Sequence, residues 1–261
     1  MKINITIVLL SLIISKVGAQ KSIFIRPLIA QKVNYCSFPG DGLKASLNYS
    51  GNDYYTFYNY GLHYKNNSLD LGIGIGLKLN EKEQVELTLA GDNASVKSAV
   101  VYNSNYSSYL NGTSLFRTTF DYQYQSFSAH RLNLRIVAGT GLLFSSQNSI
   151  DFDSVEIELG NFSIMGIDKV QRYKRISPFI KMGLGFDIKS KREKQICSLD
   201  IFWIYSMGKS FISNTKNLFV TENALPVTNS LTHAIVSNGS GFCFQLSFPI
   251  QVFTLGKKSD E

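Results

Sequence analysis

The sequence predicts an all-β fold, an eight-stranded antiparallel up-and-down transmembrane β-barrel, and three observations carry that prediction. Several segments alternate apolar and polar residues with a period of two, which is typical of strands that separate two unlike environments. The polar sides of these segments are rich in glycine. The connections between the segments alternate between long and short, as expected of a barrel whose two rims differ.

The clearest alternation runs from Leu69 to Leu79, where every odd position is leucine or isoleucine. Ten steps of about 3.3 Å, tilted by about 40°, climb about 25 Å, which is the height of the apolar band of a membrane barrel. Gly72, Gly74 and Gly76 lie on the polar side. Because glycine weakens a water-facing strand, we expect these glycines on a crowded inner wall, where they make room for side chains from across the lumen.

The N-terminal residues have the pattern of a secretory signal peptide. Lys2 is followed by an apolar run from Ile5 to Ile14 and by the small-residue site Val17-Gly18-Ala19. The run is too short to span a membrane as a helix, and no later stretch is long enough. The sequence therefore predicts a signal peptide at 1–19, a barrel at 20–255 and a polar periplasmic tail at 256–261.

Eight strands are predicted in order along the chain. Each rests on an apolar side that alternates with polar residues. The apolar positions are Ile23, Ile25, Ile29 and Val33; Leu69 to Leu79; Val85, Leu87 and Leu89; Phe116, Thr118, Phe120, Tyr122 and Tyr124; Leu132, Leu134, Ile136, Ala138 and Leu142; Ile176, Pro178, Ile180, Met182, Leu184, Phe186 and Ile188; Cys197, Leu199, Ile201, Trp203 and Tyr205; and Phe242, Phe244, Leu246, Phe248, Ile250 and Val252.

The connections divide into two classes. Short turns are predicted at 80–83, 128–130 and 190–193, and long loops at 38–65, 91–112, 148–173 and 209–239. An even number of strands places both ends of the barrel on the short-turn rim, which is periplasmic in an exported barrel.

The whole mature chain resembles the small eight-stranded outer-membrane barrels of the OmpA and OmpX kind, and among them the "outer membrane beta-barrel" or porin-family proteins of the Bacteroidota. The resemblance rests on the signal peptide, the eight alternating strands and the loop asymmetry. It implies a monomeric protein of the outer membrane, embedded in lipid. The competing fold is a soluble barrel or sandwich, in which the apolar sides point inward and the glycines face water.

A set of charged residues has lumen-facing parity. Because the interior of an eight-stranded barrel is only wide enough for side chains, these charges must pair or hydrogen-bond. They form either a salt-bridged plug or a narrow polar path for ions or small solutes. The residues are Arg26, Lys32, Asp70, Lys78, Glu86, Arg117, Asp121, Arg131, Arg135, Lys181, Asp187 and Asp200.

Cysteines and histidines give few signs of chemistry. Cys36 and Cys243 share lumen-facing parity near the outer ends of strands that must be neighbours, so they form either a seam disulfide or two buried thiols. His63, His130 and His233 are predicted too far apart for one site, so we expect no metal, no cofactor and no catalytic residue. A lipid-modifying enzyme using a His and a Ser, such as His233 with Ser230 or Ser237, remains an alternative.

The first long loop is dense in aromatic residues, with Tyr54, Tyr55, Phe57, Tyr58 and Tyr60 close together. Such residues form an interfacial girdle or a contact surface for a glycan or a protein. The charges of the chain are scattered, which argues against nucleic-acid binding. The sequence therefore predicts a structural or surface-interaction role through the long loops, with a porin-like passage as the alternative.

Overall fold

The computed structural model describes residues 21–39, 44–49, 52–64, 69–102, 105–159, 162–191, 195–222 and 225–255. The predicted signal peptide and polar tail lie outside these ranges. The strands are β1 (Lys21–Tyr35), β2 (Lys44–Tyr49), β3 (Asn52–Asn59), β4 (Leu62–Tyr64), β5 (Asp70–Lys78), β6 (Glu83–Tyr102), β7 (Asn105–Ala129), β8 (Leu132–Ser145), β9 (Ser149–Leu159), β10 (Phe162–Arg172), β11 (Arg175–Lys189), β12 (Gln195–Ser206), β13 (Ile212–Glu222), β14 (Leu225–Ser237), β15 (Gly241–Ser247) and β16 (Ile250–Leu255).

Eight of these strands close into an antiparallel ring, which confirms the predicted fold class. The order is β1–β5–β6–β7–β8–β11–β12–β15, and β15 pairs with β1 to close the barrel. Strand β16 continues the last strand along β1. No helix within the described residues is long and apolar enough to cross a membrane.

The register fixes the tilt of the strands. Paired residues followed around the ring from Ile23 return to β1 at Val33, ten residues further along, through Leu77, Val85, Tyr122, Ala138, Met182, Trp203 and Phe242. Eight strands with this stagger tilt by about 40° from the barrel axis. The interior is then filled by side chains alone.

The outer face of the barrel is apolar and the inner face is polar, as a membrane requires. The aliphatic positions of the sequence pattern point outward, and many are strongly exposed, including Leu69 at 67%, Leu71 at 68% and Met182 at 67%. Charged residues such as Arg26 and Lys32 point inward and are 1% exposed. A soluble barrel has the opposite arrangement, so the outward aliphatic belt excludes that alternative.

Aromatic side chains flank the aliphatic belt at both rims. We call the end with the short connections the turn rim and the opposite end the hairpin rim. Phe116 packs on Phe144, and Trp203 packs on Phe242 with ring centroids 4.3 Å apart, near the hairpin rim. Exposed aromatics near the turn rim are Tyr122, Tyr124, Phe127, Phe248 and Phe253. Two aromatic girdles around an apolar band are typical of transmembrane β-barrels.

The segments predicted as long loops are largely strands. Strands β9, β10, β13 and β14 form a four-stranded sheet, and β6 and β7 continue their pairing as far as Tyr102 and Asn105. With β2 and β3 they form a layer beyond the hairpin rim, which we call the hairpin tier. The sequence pattern did not show it because these strands do not separate lipid from a lumen, so period-two alternation is weak there.

Two glycines show how close the inner side chains lie to the wall. A Cβ atom at Gly74 would overlap the carboxylate of Glu86, and one at Gly185 would overlap Asp200 and lie 2.9 Å from Arg135 Nη2. The expectation that the glycines make room for charged side chains is confirmed at these positions. At Gly76 the space is taken by the ring of Phe24.

Candidate functional site: a closed lumen and an ordered hairpin tier

Among the described residues, ten buried charged side chains lie in the barrel interior, and their formal charges cancel. Five are basic and five are acidic, and each is at most 5% exposed. Burial of an unpaired charge is costly, and in this interior every one of the ten lies in at least one ion pair. The residues are Arg26, Lys32, Arg117, Arg135, Lys181, Glu86, Asp92, Asp121, Asp187 and Asp200.

Two sets of ion pairs lie in the half of the lumen nearer the turn rim. Arg135 Nη2 lies 2.9 Å from Asp187 Oδ1 and 2.8 Å from Asp200 Oδ1. Arg26 Nη1 lies 2.8 Å from Glu86 Oε2, and Gln123 donates to the same oxygen at 2.9 Å. Arg135 on β8 reaches the adjacent strand β11 and the next strand β12, and Arg26 on β1 reaches β6, so each set links strands at most two apart in the ring.

Asp92 forms ion pairs with two basic side chains nearer the hairpin rim. Lys32 Nζ lies 2.7 Å from Asp92 Oδ1, and Arg117 Nη1 lies 3.2 Å from Asp92 Oδ2. Lys32 also donates to the backbone carbonyl of Asn93 at 3.0 Å. Asp92 lies in the predicted long loop 91–112 and was not among the predicted lumen charges, although the even-numbered inward parity of Glu86 and Thr88 continues through it.

An apolar layer lies next to the charged network. Phe179, Phe211 and Ile204 are fully buried, and they belong to one packed cluster with Leu143 and Ile212. The cluster runs from the barrel interior into the hairpin tier. Because buried apolar side chains pack as densely as an organic crystal, this layer closes the lumen on the side of the hairpin rim.

The turn rim, in contrast, opens into a polar vestibule. It has a volume of about 880 Å³, and Arg135 and Asp187 lie among the residues that line it. Much of its wall consists of carboxamides, namely Gln84, Gln125, Asn133, Gln195 and Gln251. The lumen is thus accessible from one end as far as the first layer of ion pairs.

Most of the predicted lumen charges lie inside the barrel, and three differ. Asp70 is partly exposed near the hairpin rim, where it accepts a hydrogen bond from Asn93 at 3.2 Å. Lys78 is exposed at the mouth of the vestibule. Arg131 is wrongly placed by the prediction, because the turn lies at His130 and Arg131 and leaves the arginine exposed outside the lumen.

The hypothesis of a Cys36–Cys243 disulfide is wrong, and both thiols are free and buried. Cys243 is opposite Lys32, so Cys36 lies four residues further along β1. Four residues of strand span about 13 Å, whereas bridged cysteines have Cα atoms within about 7 Å. Cys243 instead lies beside Arg117, with Sγ 3.7 Å from Nη1.

Cys36 has a different set of partners at the hairpin rim, beyond the aliphatic belt. Its Sγ lies 3.8 Å from His63 Nδ1, and His63 Nε2 lies 3.0 Å from Ser95 Oγ. Burial raises the pKa of Cys36 to about 12 and lowers the pKa of His63 to about 4. The pair is therefore a neutral thiol and a neutral imidazole, and it joins β1, β4 and β6 without the thiolate that a nucleophile needs. Separations of 27 and 32 residues gave no sequence signal.

The structure places the remaining predicted residues in separate parts of the molecule. His130 is in a turn and is exposed, whereas His233 is 4% exposed inside the hairpin tier. The described part of the chain contains no group of three or more potential metal ligands. Tyr58 is 40% exposed and Tyr60 is partly buried. The side chains of Tyr54, Tyr55 and Phe57 lie outside what the structure describes.

The fold follows from four features of the described structure. They are the closed ring of strands, the outward aliphatic belt, the aromatic girdles and the charged interior. It is the fold of an outer-membrane β-barrel. No protein-family model matches the chain, and no curated protein matches it.

Among solved structures, the chain is similar to the outer-membrane protease OmpT of Escherichia coli, with 7% identity, a TM-score of 0.29 and coverage of 88% of this chain and 95% of that one. The transport unit of the autotransporter AIDA-I of Escherichia coli has 9% identity and a TM-score of 0.26, and the match covers 89% of this chain and 90% of that one. OprB of Pseudomonas putida has 6% identity and a TM-score of 0.16, and the match covers 92% of this chain and 95% of that one.

Proposed function

We propose that the protein is a non-conducting barrel of the outer membrane that holds the hairpin tier at the cell surface as a contact surface for a glycan or a protein. The observation that carries this proposal is the double closure of the lumen. Charge-balanced ion pairs lie along the lumen, and the apolar cluster around Phe179 and Phe211 closes it on the side of the hairpin rim. A continuous polar path for ions is therefore interrupted.

The hairpin tier supports the contact role. Several large side chains are exposed there beyond the aliphatic belt, including Phe152 at 68%, Ile150 at 50% and Tyr109 at 42%. Exposed aromatic and aliphatic groups away from lipid are typical of binding surfaces. Because the tier is built from paired strands, it presents them in a fixed arrangement.

Planar-bilayer recording of the refolded chain tests the closed lumen. We expect no steady single-channel steps. The variant Phe179→Gly/Phe211→Gly removes two fully buried rings from the apolar layer and should produce intermittent conductance, which shows that the assay detects an opened barrel. Steady steps from the wild-type chain would favour the porin-like passage instead.

Labelling of intact cells tests the orientation. In a Cys197→Ser background, a membrane-impermeant maleimide should modify Phe152→Cys in the hairpin tier and spare His130→Cys in the turn. Both positions are exposed. The reverse pattern would place the hairpin tier in the periplasm and overturn the surface role.

The proposal includes no catalytic step. His233 and Ser237 are 4% and 1% exposed, respectively, while Ser230 is exposed, so these side chains do not share an accessible surface. Mass spectra of lipid A from cells with and without the gene test this point. A mass difference that requires His233 would instead support a lipid-modifying enzyme.

A further inference from the structure

Three basic residues lie on two adjacent segments where the barrel meets the hairpin tier. Lys174 lies between β10 and β11, Arg175 is the first residue of β11, and Lys209 lies between β12 and β13. Two backbone hydrogen bonds hold these segments side by side, from Met207 N to Pro178 O and from Tyr173 N to Phe211 O, both at 2.9 Å. Antiparallel neighbours lie about 5 Å apart, so the three residues lie on neighbouring segments of chain, and we call them the basic patch.

The basic patch has no acidic partner within the described residues, because none of its three cations lies in an ion pair there. Nearby cations of the hairpin tier differ. Arg172 pairs with Asp151, and Lys216 pairs with Asp168. Like charges on adjacent strands repel each other, and an anion bound between them relieves that repulsion.

The position of the patch identifies the anion's source. Chain neighbours of the patch on the barrel side are lipid-facing: Ile176 is 63% exposed, Met207 is 55% exposed and Tyr205 is 53% exposed. Residue Ile176 also lies in register with Phe144, which is in register with Phe116 in the aromatic girdle. The basic patch therefore begins where the apolar belt ends, at the level of lipid headgroups.

We propose that Lys174, Arg175 and Lys209 bind the phosphate of a membrane-lipid headgroup. A guanidinium binds phosphate through two parallel hydrogen bonds, and ammonium groups add point charges around it. Arg175 is already oriented over the ring of Tyr173, with its Cζ 4.4 Å from the ring centroid. The inference rests on the proposed insertion of the barrel in a membrane.

Native mass spectrometry of the refolded chain in neutral detergent, titrated with phosphatidic acid, measures this binding. Replacement by serine at all three positions of the patch should weaken the affinity at least about tenfold, since each cation near a headgroup contributes to binding. The matched control is Lys82→Ser/Arg131→Ser/Lys191→Ser, which removes three exposed cations at the turn rim. The control should change the affinity less than about twofold.

Equal losses in both triple variants, or no loss in either, would overturn the site. Competition by inorganic phosphate at the same concentration as the lipid would also overturn it, because the ligand would then not be a lipid. The variant Lys174→Arg/Lys209→Arg keeps the charge and should retain binding. Heat-modifiable gel migration verifies that each variant is folded. A wild-type chain that stays monodisperse without detergent would contradict membrane insertion itself, which separates that failure from a failure of the patch.

Discussion

Lys181 Nζ donates a hydrogen bond to Asp121 Oδ2 at 2.7 Å in the middle of the barrel. The ammonium also faces the ring of Phe202, 3.9 Å from its centroid. Asp121 has no other ion-pair partner within the described residues, so the two charges depend on each other. Substitutions at these two residues can therefore measure how much free energy of unfolding depends on pairing a buried charge.

Lys181→Met should lower the free energy of unfolding by about 3 to 5 kcal/mol, because it leaves Asp121 buried and unpaired. Urea unfolding in detergent micelles, followed by the fluorescence of Trp203, the single tryptophan, measures the change. The double variant Lys181→Met/Asp121→Asn removes both charges and should recover at least half of the loss. A double variant as unstable as the single one would show that the pair does not account for the effect.

Gly74→Ala should destabilise the barrel by about 1 to 3 kcal/mol, because the added methyl group overlaps the carboxylate of Glu86. Gly91→Ala is the matched control, since the nearest atoms to its new Cβ lie 3.7 Å away. Urea midpoints of the two variants provide the comparison. Equal midpoints would contradict a crowded inner wall at Gly74.

All three cysteines should react with a thiol reagent after unfolding without reductant, because none is bridged in the described structure. In the folded barrel Cys36 and Cys243, each 1% exposed, should react far more slowly than Cys197. Intact-mass measurement counts the modified thiols. Modification of Cys197 alone in the unfolded, unreduced chain would restore the disulfide hypothesis.

The barrel wall was predictable because lipid and lumen impose opposite demands on alternate residues. Leu71 and Gly72 are neighbours in sequence and face different media, so the pattern appears in the chain itself. Arg135 and Asp187 were predicted to be inside by the same parity. Which cation pairs with which anion was not predictable, because it depends on the ten-residue stagger around the ring.

The stagger also explains why the disulfide hypothesis is wrong. Placing Cys36 opposite Cys243 required a register four residues away from the observed one. The contacts in the hairpin tier could not be predicted from the sequence for a different reason. Packing of His63 against Cys36 and Ser95 joins three strands that are distant in sequence, and none of these residues stands in a spaced motif.

Acidification should loosen β4 at the hairpin rim through His63. The pKa of His63 is lowered by burial from 6.5 to about 4 in the folded chain. A lowered folded pKa means that the stabilisation is fully present above pH 6.5 and is lost as the pH falls toward 4. A shift of this size corresponds to roughly 3 kcal/mol for this 6%-exposed side chain. Protonation also introduces a positive charge near Lys97.

Hydrogen exchange of Leu62–Tyr64 at pH 7 and pH 4, corrected for intrinsic exchange rates, measures the loosening. Protection of this strand should fall at pH 4, while the barrel pairs of β1 with β5 should stay protected. His63→Gln keeps a hydrogen-bonding group without the titration, and it should remove most of the difference between the two pH values. An unchanged pH dependence in that variant would assign the acid response to another group.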